Sequence, residues 1–331
     1  MELTFLGTSS GTPTRTRNVA GLAIKRANSR DWCLVDCGEG TQHRLLRTTL
    51  SLQRLRAIFI THVHGDHCYG LPGLLASAAL AGRTDALHVV GPQGIARLIE
   101  VIRDVSQLHL PYELEFSDVA NSGDGIETEC FSVYPAPLSH RVPSFGYVFQ
   151  EHAEAPRLEA ERLLRDGIPQ GPIWGRLLSE GKLQLEDGRV LQAEDYLAAP
   201  RRRRRVIVCG DNDRPELLEK FGQGLDALVH EATYTDDLAE TARKAGHSTA
   251  RSIARFAQQI SLPNLVLTHF SARYVDDTSR SPSIRDIEAE ARREFSGHLF
   301  LASDFASYRI DRHGVMSLVS GPDASSPPTA P

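Results

Sequence analysis

A chain of 331 residues, 41% of them apolar, can bury a large core as one α/β domain or as two smaller ones. No apolar run approaches the ~20 residues a membrane-spanning helix needs, and Met1-Glu2-Leu3-Thr4-Phe5-Leu6 alternates like a strand rather than opening a signal peptide. A formal net charge of −5 excludes a uniformly basic surface, so any affinity for nucleic acid must come from local patches.

In chain order, residues 3–7, 20–24 and 32–36 read as the early strands of a meander, and 39–48 as a helix. The loop over 8–14 offers hydroxyls and backbone N–H groups after a strand, a phosphate cradle in form. A strand over 54–61 then feeds His62-Val63-His64-Gly65-Asp66-His67. Histidines two apart on a bent loop can converge on one ion, while Asp66 and His67 face a second. Two divalent ions about 3.5–4 Å apart are a common apparatus for displacement at phosphorus or at a carbonyl carbon. Three histidines and an aspartate at this spacing rarely arise as ordinary core or surface residues. Cys68 adjoins the motif, and its expected role is packing, because a helix begins there. Residues 70–81 form that helix, 87–90 a strand, and 92–103 a helix with proline near its first position.

The second half repeats the scheme, with strands near 130–134, 146–150, 206–209 and 226–230 and a helix at 248–259. Three apolar runs here end in a residue of metal-ligating type. Phe131-Ser132-Val133-Tyr134 leads through a Pro-interrupted turn to His140. Val206-Ile207-Val208-Cys209-Gly210 ends at Asp211, and Leu265-Val266-Leu267-Thr268 ends at His269. One such residue alone would be ordinary; the repetition places ligands along one edge of a buried sheet. Asp304, after Leu299-Phe300-Leu301-Ala302, mimics the pattern but is read as structural, since the ligand set is complete without it. His43, His88, His109, His152, His298 and His313 lack the strand-end context and are read as ordinary.

Residues 151–205 break the alternation of strands and helices. A short amphipathic helix at 157–165 runs into Gly167-Ile168-Pro169-Gln170-Gly171-Pro172-Ile173-Trp174-Gly175, too rich in glycine and proline for a core element. Between 157 and 189 six basic residues face six acidic ones, so this piece is not net basic. Residues 321–331 are rich in Pro, Ser and Ala and are expected to be disordered. Five cysteines, an odd number without a Cys-x-x-Cys pair, point to a reducing, cytoplasmic setting.

The His-x-His-x-Asp-His motif with His140, Asp211 and His269 resembles the metallo-β-lactamase superfamily. Other segments are similar to ribonuclease Z, the tRNA 3′-processing endoribonuclease family. These are Leu6-Gly7-Thr8-Ser9-Ser10-Gly11-Thr12-Pro13-Thr14 with Arg17-Asn18, and Leu34-Val35-Asp36-Cys37-Gly38-Glu39-Gly40-Thr41-Gln42. His230-Glu231-Ala232-Thr233 and Gly246-His247-Ser248-Thr249 complete them. The match runs from residue 1 to about Tyr308.

The resemblance implies a four-layer αββα sandwich over 1–320, interrupted at 151–205 by a flexible arm that grips the body of a precursor tRNA, in a homodimer. It implies two zinc ions per chain, with manganese as the alternative at the carboxylate-rich second position. His62, His64 and His140 would hold one ion, Asp66, His67 and His269 the other, and Asp211 would bridge them. Asp66 would also accept a proton from the attacking water. His247 would protonate the leaving oxygen or bind the scissile phosphate, with Glu231 orienting it. Ser248 or Thr249 would cap the next helix and present N–H groups to phosphate. His230 is expected to be structural, and Asp36 to brace the metal loop. The arginine run at 201–205 is either a solvated face or part of the RNA path. The implied reaction is hydrolysis after the discriminator nucleotide, leaving a 3′-hydroxyl on the tRNA. The alternatives are a superfamily phosphodiesterase or other small-ester hydrolase, and a tRNA-binding protein with a dead site.

Overall fold

The computed structural model describes residues 1–321; the expected disordered tail lies, beyond Gly321, outside the described residues. Apolar alternation builds two mixed sheets. The first runs Met316–Ser320, Ser307–Ile310, Glu2–Gly7, Gly21–Lys25, Trp32–Val35, Leu55–Phe59, Leu87–Gly91, Leu114–Asp118. The second runs His298–Leu301, Asn264–Thr268, Ala227–Glu231, Arg205–Cys209, Ser144–Glu151, Phe131–Leu138, Ile126–Glu127.

Successive side chains of a strand point to opposite faces. Ala57 and Phe59 therefore turn toward the second sheet while Ile58 turns outward. Ala227 and Val229 face the first sheet in the same way, and Leu228 faces out. Between the sheets the Phe59 ring lies 5.0 Å from Tyr147 and 5.2 Å from Phe149. The outward rows bury against Leu71–Leu80 and Gln93–Ser106 on one side, and against Ala250–Gln259 and Ile284–Glu294 on the other. The result is the αββα sandwich of the metallo-β-lactamase fold.

Parallel pairing then decides where chemistry can occur. Trp32–Val35 and Leu55–Phe59 run parallel in the first sheet, as do Arg205–Cys209, Ala227–Glu231 and Asn264–Thr268 in the second. Parallel strands end along one edge, so Asp36, His62, Asp211, Glu231 and His269 are all delivered at strand ends.

Several boundaries differ from expectation. The helix expected over 39–48 is Thr41–Leu45, because Gly40 sits at φ 77° and cannot belong to it. The Pro-interrupted turn before His140 is strand: Pro135 and Pro137 pair opposite Tyr147 and Phe145. Ile126–Glu127 covers only Val133 and Ser132 on the other side, so the prolines remove no ladder hydrogen bond there.

Residues His152–Arg203 form a compact unit of their own. Leu163, Ile168, Leu177, Leu183, Leu191 and Tyr196 bury against one another in it. They are carried by helices Ala160–Arg165 and Pro172–Glu180 and by the strand pair Lys182–Gln184 and Val190–Gln192. This corrects the expectation that the Gly/Pro-rich stretch holds no core element. Pro172 begins a helix where its missing N–H costs nothing, and Gly181 at φ 74° ends it. The arginine run is largely taken up internally. Arg201 pairs with Glu154 at 2.7 Å, Arg204 grips Glu151 through two nitrogens at 2.6 and 2.8 Å, and Arg205 donates to the Gln223 carbonyl. Among the described residues no helix is long and apolar enough to cross a membrane.

Candidate metal centre and catalytic site

The metal-type residues come together at the strand ends. After Leu55–Phe59 the chain bends at Val63, between His62 and His64, and the single turn Gly65–Cys68 carries Asp66 and His67. Asp36, following Trp32–Val35, accepts from the Thr61 amide at 2.8 Å, from the Thr61 hydroxyl at 3.0 Å and from His67 Nδ1 at 2.7 Å. It therefore braces the loop, as expected. Gly210 lets Arg205–Cys209 end close by: a Cβ there would lie 2.5 Å from the Thr61 side chain. That contact brings Asp211 up to His62.

Three overlapping groups of donors result among the described residues, His62, His64, His140 with Asp211, Asp66 with His67 and His269, and Asp211 with His247 and His269, each with ligand atoms within 4.8 Å of one another; the first two match the expected pair of ion sites. In the first, His64 Nδ1 lies 3.1 Å from His62 Nε2 and 3.2 Å from His140 Nε2. In the second, His269 Nε2 lies 3.2 Å from His67 Nε2 and 3.3 Å from Asp66 Oδ2. Asp211 Oδ2 approaches His62 and His140 at 3.6 and 3.7 Å, while its Oδ1 approaches His67 and His269 at 3.5 and 3.4 Å.

These residues fit metal ions for a chemical reason. His140 Nδ1 donates to the Gly246 carbonyl at 2.7 Å, and His67 Nδ1 to Asp36. With Nδ1 so engaged, a ring that binds a metal turns its Nε2 lone pair inward, toward His64 in one case and His269 in the other. Asp211 Oδ1 is buried and has no hydrogen-bond partner. A buried carboxylate oxygen without a donor is costly unless a cation meets it. The outer hydrogen bonds that orient the rings are the usual support of metal-ligating histidines.

The electrostatics agree. Burial and the neighbouring His67, His140 and His64 hold His62 far below its ordinary range, hence neutral. Burial opposes ionisation of Asp66, yet hydrogen bonds from His269 and His67 outweigh it and hold the carboxyl far below the usual range. At His67 burial is likewise outweighed, by Asp36 and Asp211, which raise it. A proton is thus favoured at His67, beside the carboxylates, and disfavoured at His62 and His64.

Between the two groups, with its ring 5.2 Å from His140 and 5.6 Å from His269, His247 puts Nδ1 2.9 Å from Glu231 Oε1 and 3.8 Å from Asp211 Oδ2. Burial disfavours a charged His247 ring, but the Glu231 carboxylate outweighs burial and, with Asp211 and Asp66, raises it to about 9. Glu231 is itself held by the Thr233 hydroxyl at 2.5 Å and the Asn212 amide at 3.0 Å. His230 is buried, with its nitrogens bonded to the Glu231 carbonyl and to Asn212, a structural arrangement.

Comparison with known proteins now decides the family. The chain is 50% identical to a ribonuclease Z of Pseudomonas putida (strain W619) over 322 residues, 97% of this chain and 100% of the relative. It is 49% identical to a ribonuclease Z of Marinobacter nauticus, across 94% of this chain and 97% of the relative. The chain belongs to the ribonuclease Z family. The crystal structure of human tRNase Z, short form, superposes with TM-score 0.62 at 26% identity, covering 94% of this chain and all of that one. A Bacillus subtilis metallo-β-lactamase fold protein, YhfI, gives TM-score 0.63 at 18% identity over 92% of this chain and 98% of that one, a likeness of fold alone. A family model described as anti-Pycsar protein Apyc1 matches residues 1–96, short of half the chain.

For a ribonuclease Z, two expectations about phosphate need correction. Thr249 does cap Ala250–Gln259, but the amides of Ala250, Arg251 and Ser252 already donate to Tyr234, Glu290 and Thr249. The helix start has no free N–H there to offer, and the Ser248 hydroxyl is spent on the Asn212 carbonyl. In the 8–14 loop, Thr8, Ser9, Thr12 and Thr14 donate to backbone carbonyls within 10–18. Gly11 N–H instead holds Asp66 Oδ2 at 2.7 Å, so the loop positions a carboxylate. Asp304 accepts from Thr8, Asn18 and Arg44 and is structural. Cys68 is buried, as packing requires. Thr61, Thr233 and the Gly11 amide were missed as functional partners. Each is adjacent to or inside a quoted motif, and only the fold shows which atom it reaches.

Proposed function

We propose that the chain is a metal-dependent endoribonuclease that removes the 3′ trailer from precursor tRNA. The observation that carries this reading is Asp211, whose two buried oxygens divide between two histidine groups, in a chain half identical to ribonuclease Z. Imidazole and carboxylate donors without thiolate favour zinc, with manganese the alternative. His62, His64 and His140 would hold one ion, Asp66, His67 and His269 the other, with Asp211 between them. So bound, the ions would supply an activated water near neutral pH and offset the charge of the phosphate.

The remaining steps belong to the side chains. Asp66, fixed by the Gly11 amide, orients the attacking water and takes up its proton. As the bond from phosphorus to the tRNA 3′ oxygen breaks, protonated His247 donates to that oxygen and leaves a 3′-hydroxyl. The phosphate stays with the trailer. Glu231 keeps His247 charged and aimed. Incubating the protein with precursor tRNA, with and without chelator, and mapping the cut tests the proposal. A chelator-sensitive cut after the discriminator is expected; hydrolysis of small diesters with precursor tRNA left intact would replace it with a small-ester hydrolase.

The arm and the oligomer are further parts of the proposal. The unit His152–Arg203 would grip the tRNA body, and its folded core with balanced charge favours recognition by shape and backbone contact over a basic patch. Replacing 157–189 with a short Gly/Ser linker should spare hydrolysis of a small chromogenic phosphodiester, since no metal-type residue of the cluster lies inside it. Precursor cleavage should fall mainly through KM, because remote contacts position the scissile phosphate. Equal loss of both activities would make the segment part of the fold. A homodimer is supported by Leu46 and Leu80, 84% and 91% exposed at the ends of two touching helices. Sedimentation should give a dimer, and Leu80→Glu should shift it toward monomer. Five free, buried cysteines support a reducing, cytoplasmic setting.

A further inference from the structure

Tyr69 stands one residue beyond the turn Gly65–Cys68, and the residue is 66% exposed. Single exposed aromatic residues are common, and exposure alone assigns no role. What sets this one apart is its seat. A Cβ on Gly65 would lie 2.2 to 2.6 Å from three atoms of the Tyr69 ring. Gly65 does not have a positive φ, so its backbone does not demand glycine. The missing side chain is what lets the ring lie against the loop between His64 and Asp66 while its remaining surface faces solvent.

We propose that Tyr69 is the stacking platform for the nucleobase next to the scissile phosphate on the trailer side. The inference rests on the precursor-tRNA reading of the metal site and names a positioning residue for it. A trailer is single-stranded, so its first base can leave its neighbours at low cost. An aromatic face accepts any base, as trailers of varied sequence require. The seat fixes the ring before substrate arrives, so little side-chain freedom is lost on binding. A base held there draws its own phosphate toward His64 and Asp66 without touching a metal-type residue.

The test compares kcat/KM on a precursor tRNA with that on the same precursor carrying an abasic ribose at the first trailer position. A second precursor is abasic at the discriminator. Stacking of one base is worth about tenfold or more in affinity, so the unaltered chain should prefer the base-bearing precursor over the trailer-abasic one by that factor. In Tyr69→Ala the preference should collapse toward one, and Tyr69→Trp should restore it. Persistence of the full preference in Tyr69→Ala would overturn the platform. A collapse confined to the discriminator-abasic precursor would overturn the assignment to the trailer side. Failure of the unaltered chain to cut any precursor would strike the enzymatic reading instead, so the two failures are distinguishable.

Discussion

Asp211→Ala should strip both halves of the metal centre together, taking the bound metal from about two ions per chain to below one and precursor cleavage down by about 10³-fold or more. The reason is geometric. Among the described residues Asp211 alone places one oxygen near His62 and His140 and the other near His67 and His269. Without it each histidine group keeps three donors at most, and the two positive charges would face each other with no anion between them. Histidine neighbours would also be left around a hole in a buried site. His64→Ala should act on one side only and leave close to one ion, which separates loss of a bridge from general damage. Elemental analysis after metal-replete purification, with circular dichroism to check the fold, reads both variants. Two ions retained by Asp211→Ala would remove it from the bridging position.

His247→Ala should lower turnover by about 10²-fold or more while the metal content stays near that of the unaltered protein. His247 Nδ1 lies nearest the Glu231 carboxylate, and the ring belongs to neither of the two groups that match the expected ion sites, so the loss should fall on kcat more than on KM. The pH dependence gives a sharper reading. A donating ring must be protonated, and protonated His247 is present below its pKa and lost as pH rises through it. Glu231 is the main influence raising that value to about 9. Glu231→Gln removes the charge and lowers the pKa, so the alkaline limb of kcat should move to lower pH. A limb that stays in place in Glu231→Gln would mean that another group supplies the proton.

The sequence by itself determined the chemistry of this protein more fully than its architecture. His62, His64, Asp66 and His67 announce themselves because a short loop needs no partner segment to be read, and Asp211 and His269 do so because each follows a β-rich run. Local patterns also placed Ala250–Gln259 and most strands of the sandwich, where apolar periodicity is strong. What the sequence left undecided depends on contacts between distant segments. Ser307–Ile310 pairs with Glu2–Gly7 across the whole length of the chain, and no local pattern encodes that pairing. Pro135 and Pro137 read as a turn until the uncovered flank of their strand is known. The helix start at Thr249 looks open to phosphate until Tyr234 and Glu290 are seen to occupy its amides. The Gly/Pro-rich stretch reads as irregular because its core residues, from Leu163 to Tyr196, are spread across several short elements that only folding brings together. Side-chain type is a property of one position, whereas hydrogen-bond satisfaction and burial belong to pairs of positions, and tertiary structure alone selects the pairs.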